Sequence, residues 1–97
     1  MSQIELTSDA LADLSWIEAY CRQHSEKAML KAQSALDAVF DQICDNPFIG
    51  RQYENDARIR SFPLTKMPFR VFYTVYPEKI IVLRIWDVRA RPSNLKL

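Results

Sequence analysis

Two runs of β-prone residues in the last third of the chain constrain its fold more than any other stretch. Residues 69–76 and 80–86 are both rich in β-branched and aromatic side chains, and only Pro77, Glu78 and Lys79 separate them. Strand-forming runs that are joined by a short polar connection are typical of a β-hairpin. The sequence therefore predicts two adjacent antiparallel strands within residues 69–86.

The alternation of each run separates its two faces, because side chains two residues apart point to the same side of a strand. We expect the core to take one face of each run, which holds Val71, Tyr73, Val75, Ile81, Leu83 and Ile85. The opposite face carries Arg70, Phe72, Thr74, Tyr76, Ile80, Val82, Arg84 and Trp86. Aromatic rings mixed with arginines indicate a surface that contacts another molecule.

Two amphipathic helices are predicted earlier in the chain. Apolar residues recur at spacings of three and four over residues 8–23 and again over residues 25–44, which is the period of a helix with one buried face. Thr7 and Ser25 stand where N-terminal caps are needed. Because so few residues separate the two helices, we expect an antiparallel helical hairpin.

Shorter segments complete the predicted fold. Residues 3–7 alternate and predict a first strand, residues 48–57 predict a loop around the only glycine, and residues 58–64 predict a strand that Pro63 interrupts. The element order is then β-α-α-β-β-β. Since both helices must cover their apolar stripes, we expect one α+β domain over residues 1–97, with the helical hairpin packed on one face of a small antiparallel sheet.

Composition excludes several classes of function. The formal net charge of +1 gives no overall basic character that would indicate nucleic-acid binding, so any such case depends on where the charges lie. No apolar run reaches the roughly 18 residues of a membrane span, and the first residues do not resemble a signal peptide. We therefore expect a cytoplasmic protein that does not bind membranes.

Metal and cofactor sites are not expected either. One histidine and two separated cysteines cannot supply a set of ligands at the usual spacing, and a solitary glycine cannot form a phosphate-binding loop. We predict no metal and no cofactor.

Arginine is the remaining residue type that can carry a function. Guanidinium groups beside aromatic rings can hold RNA phosphates and bases, anchor a protein partner, or merely keep an exposed sheet face soluble. The residues alone leave these three possibilities open. The candidate binding residues are Arg60, Arg70, Phe72, Arg84, Trp86, Arg89 and Arg91.

Three motifs, in the order of the predicted elements, resemble those of a known family. Residues 46–51 read Asn-Pro-Phe-Ile-Gly-Arg, residues 69–73 read Phe-Arg-Val-Phe-Tyr, and residues 85–92 read Ile-Trp-Asp-Val-Arg-Ala-Arg-Pro. With the β-α-α-β-β-β order, they resemble the RelE/ParE superfamily of bacterial toxins from type II toxin–antitoxin systems. The resemblance implies a cytoplasmic toxin that a cognate antitoxin neutralises by covering apolar and basic surface.

The superfamily divides by target: RelE-like members cleave messenger RNA on the ribosome, and ParE-like members poison DNA gyrase. Arg70 matches the central-strand arginine of the RelE-like members, and Arg89 or Arg91 could match the arginine after the last strand. The chain departs from that pattern elsewhere. Ser61 and Pro63 stand where RelE-like toxins carry paired lysines, and no tyrosine or histidine follows the last strand.

These departures favour a ParE-like role. RNA cleavage without a metal needs one group that deprotonates the 2′-hydroxyl and another that protonates the leaving oxygen, and arginine is a poor base because it stays protonated. Tyr73 is expected in the core, so it cannot serve as the missing base or acid. We therefore predict a non-catalytic toxin that binds gyrase. Its predicted contact residues are Arg84, Trp86, Arg89, Arg91 and the tail to Leu97.

Two alternatives remain beside this prediction. The first is a metal-independent endoribonuclease that acts on messenger RNA at the ribosome and uses Arg70 with Arg89 or Arg91. The second is a non-toxic family member that only binds a partner.

Overall fold

The computed structural model describes residues 3–90 and 95–97. In chain order its elements are β1 (Gln3–Leu6), α1 (Ser8–His24), α2 (Glu26–Asp45), β2 (Arg51–Tyr53), β3 (Asp56–Pro63), β4 (Phe69–Val75) and β5 (Lys79–Asp87). The strands form one sheet in the order β1-β5-β4-β3-β2. The predicted α+β fold and element order are confirmed, and the segment predicted as a loop contains one additional short strand, β2.

Each helix begins at a predicted cap. The Thr7 hydroxyl accepts a hydrogen bond from the amide of Ala10 at 3.1 Å, and the Ser25 hydroxyl accepts one from the amide of Ala28 at 3.0 Å. Ser25 also ends α1, because its amide donates to the Cys21 carbonyl. One residue thus ends the first helix and caps the second. Neither helix of the described chain is long and apolar enough to cross a membrane.

The core lies between the two helices and one face of the sheet. Within each helix the buried positions are three, four or seven residues apart, as a helix with one apolar face requires. They are Ala10, Ile17, Cys21, Met29, Ala32, Leu36, Val39 and Ile43. From the sheet, β4 contributes Phe69, Val71 and Tyr73. Each large apolar side chain buried here stabilises the fold by about 1.5–3 kcal/mol.

The pairing of β4 with β5 shifts by one residue in the middle of the strands. Phe72 pairs with Arg84, whereas the next residue, Tyr73, pairs with Val82. Leu83 is therefore the extra residue of a β-bulge. At this point the alternation of inward and outward side chains along β5 shifts by one residue.

This bulge corrects the predicted inner face of β5. Before the bulge Ile80 and Val82 belong to the core, and after it Ile85 does. The prediction that Ile81 and Leu83 face the core is wrong, and both are only partly buried. The prediction that Ile80 and Val82 lie on the opposite face is wrong for the same reason. The prediction for Ile85 is confirmed.

The sheet is mixed rather than wholly antiparallel, because β1 runs parallel to β5. Strand β1 covers the edge of β5 only as far as Val82. Beyond Val82 this edge is covered by residues at the start of α1. The Thr7 amide donates to the Val82 carbonyl at 3.0 Å, and the Thr7 hydroxyl donates to the Leu83 carbonyl at 2.9 Å. The Asp13 carboxylate then accepts a hydrogen bond from the Ile85 amide at 3.0 Å.

Candidate binding site on the open sheet face

The sheet face that points away from the helices carries four of the predicted binding residues. Residues paired across two strands point to the same face, and Arg70 pairs with Trp86 while Phe72 pairs with Arg84. These four side chains therefore lie on one face, as the alternation predicted. Their role in contacting a target stays a prediction.

A pocket of about 460 Å³ opens on this face near the β2 edge of the sheet. Its floor is the Phe72 ring, which is only 7% exposed. The Tyr53 ring meets Phe72 edge-on, with 5.8 Å between the ring centroids. The residues that line the pocket are Arg51, Gln52, Tyr53, Glu54, Ser61, Arg70 and Phe72.

Arg70 is held inside the pocket by a single neighbour. Its Nε donates to the Ser61 hydroxyl at 3.1 Å, and its Nη2 donates to the Ser61 carbonyl at 3.3 Å. Burial and the positive charge of Arg51 together lower the pKa of Arg70 from its ordinary value. Neither arginine forms an ion pair with any described residue. The pocket therefore brings two like charges together, and Glu54, the one carboxylate among the described residues that line it, forms no ion pair with either arginine.

Arg84 on this face and Arg89 in the turn after β5 are already paired. Arg84 donates from Nε and Nη2 to the Asp13 carboxylate at 2.7 and 2.9 Å, and its guanidinium carbon lies 5.0 Å from the centroid of a ring of Trp86. Arg89 donates to both carboxylate oxygens of Asp87, at 3.0 and 2.8 Å. Hydrogen bonding to the aspartate raises the pKa of each arginine. Both charges are therefore neutralised locally.

Arg60 lies on the face opposite the pocket, because it pairs with Tyr73. Its Nη1 donates to the carbonyl of Gly50 at 2.8 Å and to that of Phe48 at 3.3 Å. Arg60 thus stabilises the loop before β2 and is not brought together with the other predicted residues. Arg91 lies outside the described residues.

Tyr73 fixes the same loop from the core side. Its hydroxyl donates to the Pro47 carbonyl at 2.8 Å and accepts from the Gly50 amide at 2.9 Å. A Cβ at Gly50 would lie 2.5 Å from that hydroxyl oxygen and 2.9 Å from the Ser61 carbonyl oxygen, so the close approach requires glycine. The motif at residues 46–51 is therefore held against the motif at residues 69–73 by the Tyr73 hydroxyl. This contact places Arg51 at the pocket.

Sequence reasoning missed the four pocket residues that β2 and its turn supply, namely Arg51, Gln52, Tyr53 and Glu54. The signal for Arg51 was its place directly after the only glycine, within a motif already associated with the family. Glu54 adds an exposed carboxylate to the pocket lining. In the described residues no three histidine, cysteine or acidic side chains come close enough to hold a metal ion.

Comparison with known proteins identifies the family. A family model described as the ParE toxin of the type II toxin–antitoxin system parDE matches residues 4–92. The chain belongs to the ParE toxin family. The resemblance predicted from the motifs is thereby confirmed. A search of curated proteins found no significant match.

Solved structures agree with this assignment. The chain is similar to a structure described as the chromosomal ParDE TA system from P. aeruginosa, with 27% sequence identity and a TM-score of 0.74 over 90% of this chain and 96% of that one. It is also similar to the YoeB dimer from Staphylococcus aureus, with 19% identity and a TM-score of 0.64 over 87% and 93% of the two chains. At that identity the second likeness shows the fold alone.

Proposed function

We propose that this ParE-family toxin acts by binding and inhibiting DNA gyrase, and that a cognate antitoxin neutralises it. The observation that carries the proposal is the setting of Arg70. Its guanidinium is hydrogen-bonded to Ser61 alone among the described residues, so it is positioned to hold an anion, and an arginine that stays protonated cannot itself act as a base. Such an arrangement is suited to binding rather than to cleavage.

The family supports the proposal of an antitoxin partner, since one similar structure is described as a ParDE toxin–antitoxin system. This chain also offers a surface for such a partner. A groove of about 750 Å³ lies between the two helices and the turn at residues 65–68. The described residues that line it include Lys31, Lys66 and Arg89 and no carboxylate, although Arg89 is already paired with Asp87. An apolar segment flanked by acidic residues would complement this groove.

A supercoiling assay tests the proposal directly. Purified toxin at a small molar excess over gyrase should block the supercoiling of relaxed plasmid, and addition of the cognate antitoxin should restore it. The variant Arg58→Gln is a matched control, because Arg58 is an exposed arginine of the same sheet that pairs with Asp56 and does not line the pocket. It should inhibit as well as the wild type. Unimpaired supercoiling at a large excess of wild-type toxin would refute the proposal.

A ribonuclease is the second candidate, and one observation favours it. Glu54 lines the same pocket as Arg70, and a carboxylate can act as the general base that the sequence alone did not reveal. If the chain cleaves messenger RNA, primer extension after induction should map new message ends, and Glu54→Gln should abolish them. An absence of new ends with the wild type would exclude this candidate. Unimpeded growth on strong expression without antitoxin would instead indicate a non-toxic binding protein.

A further inference from the structure

Three arginines of the sheet and of the turn after it are paired with aspartates within the chain. Arg58, Arg84 and Arg89 each donate two hydrogen bonds from the guanidinium to one aspartate, at 2.7–3.1 Å. Arg51 and Arg70 lie together in the pocket and form no ion pair with any described residue. The pocket therefore offers an anion two cations that no carboxylate of the described chain engages.

Arg70 is prepared to receive that anion. A guanidinium carries five N–H donors in a rigid plane, and two groups of Arg70, Nε and Nη2, are held by Ser61. The remaining donors stay available, and the plane is already oriented. Because less side-chain freedom is lost on binding when the donor is fixed beforehand, the site is partly preorganised. Arg51 is exposed at the rim and can close over the same ligand.

The surroundings favour a single carboxylate over a chain of phosphates. Single-stranded RNA carries a phosphate at every nucleotide, and proteins that hold it provide a positively charged groove along the backbone. Here Arg84, which pairs with Phe72 across the strands, is neutralised by Asp13, and Glu54 adds a negative charge to the pocket lining. A second phosphate would meet neutral or negative surface, whereas one acidic side chain needs only the pocket.

We propose that Arg51 and Arg70 clamp one aspartate or glutamate side chain of a protein partner. The rings of Tyr53 and Phe72 then contact apolar atoms next to that carboxylate, since arginine and aromatic residues together form the energetic centre of many protein interfaces. The inference rests on the proposed function, that the toxin acts by binding a protein, and it adds the chemistry of one contact. It does not require that the partner be gyrase.

NMR spectra of the arginine Nε–Hε groups test the clamp on the whole toxin. The probe is glutamate with both ends capped, and capped glutamine of nearly the same shape serves as its uncharged control, at constant ionic strength. Capped glutamate should shift the Arg70 resonance in a saturable way, and capped glutamine should not. Arg51→Gln should weaken binding about tenfold, the loss expected for one charged hydrogen-bonding partner. Arg58→Gln should leave it unchanged.

Several results would overturn the clamp. One is an Arg70 resonance that does not respond to capped glutamate. Another is a short single-stranded RNA that binds the pocket more tightly than capped glutamate does, which would favour a nucleic-acid ligand. Arg70→Lys keeps the charge but loses the planar fork, so binding as tight as that of the wild type would also contradict the proposal. The amide spectrum of each variant verifies that it is folded.

The clamp and the proposed function fail in different ways. If the wild type does not inhibit gyrase but still binds capped glutamate through Arg51 and Arg70, the clamp stands and the target is wrong. If the wild type inhibits gyrase, while Arg51→Gln and Arg70→Gln inhibit equally well and no carboxylate binds, the target stands and the clamp is refuted.

Discussion

Replacing Tyr73 with phenylalanine tests whether the loop before β2 is fixed by one hydroxyl group. The ring of Tyr73 is fully buried in the core, and phenylalanine would fill the same space. The substitution removes only the hydroxyl that bonds to the Pro47 carbonyl at 2.8 Å and to the Gly50 amide at 2.9 Å. Both backbone groups would then lack their partner.

The expected loss of stability follows from these two contacts. A neutral hydrogen bond contributes about 1 kcal/mol net, and a buried group left without a partner costs about 1–3 kcal/mol. We expect Tyr73→Phe to lower the free energy of unfolding by about 2–4 kcal/mol, a large part of the roughly 5–15 kcal/mol that stabilises a typical domain. For a domain of this size the melting temperature should fall by about 10–25 °C.

Urea unfolding followed by circular dichroism measures this loss, and Tyr76→Phe supplies the matched control. The same atom is removed from Tyr76, but this residue is 48% exposed, so we expect a change within about 0.5 kcal/mol. A loss from Tyr73→Phe that is no larger than the loss from Tyr76→Phe would refute the role of the hydroxyl.

Two further predictions concern stability. Asp13→Ala removes the carboxylate that accepts hydrogen bonds from Arg84 and from the Ile85 amide, where the Asp13 and Arg84 side chains are only 16% exposed. Unfolding experiments should show that the free energy of unfolding falls by about 3 kcal/mol. Glu5→Gln, which removes the exposed ion pair with Lys79, should cost less than about 0.5 kcal/mol, and equal losses from the two variants would contradict this prediction. Burial raises the pKa of Tyr73 above its ordinary value of 10.0, so its contribution to stability is complete below that pH and declines as the pH rises above it. The free energy of unfolding should therefore fall more steeply above about pH 10 in the wild type than in Tyr73→Phe, and parallel curves would show that another group is responsible.

The sequence predicted most elements of the fold but not two local features of its sheet. Residues 80–83 are apolar at every position, so strict alternation could not reveal that a bulge at Leu83 changes the inward-facing set. Strand β2 was missed because three residues after a glycine are too short to show any period. Its pairing with β3 comes from the tertiary position of the loop that Tyr73 holds.

The candidate site shows the same division between local and long-range information. Alternation placed Arg70, Phe72, Arg84 and Trp86 on one face without knowledge of any contact. It could not show that Arg84 is paired with Asp13, which lies 71 residues away in the chain. Nor could it show that Arg51 enters the pocket, because that depends on a strand pairing rather than on the pattern around the residue.

The cover over the second half of β5 has a consequence for how this protein avoids aggregation. A strand edge with free amides and carbonyls can recruit a strand from another molecule. Here the side chains of Thr7 and Asp13 occupy the edge at Leu83 and Ile85, so the protection is provided by contacts that can separate while the sheet stays intact. Moving the start of α1 outward would convert this closed edge into a template for an added strand. Resistance to self-association at this edge therefore depends on the same carboxylate that neutralises Arg84.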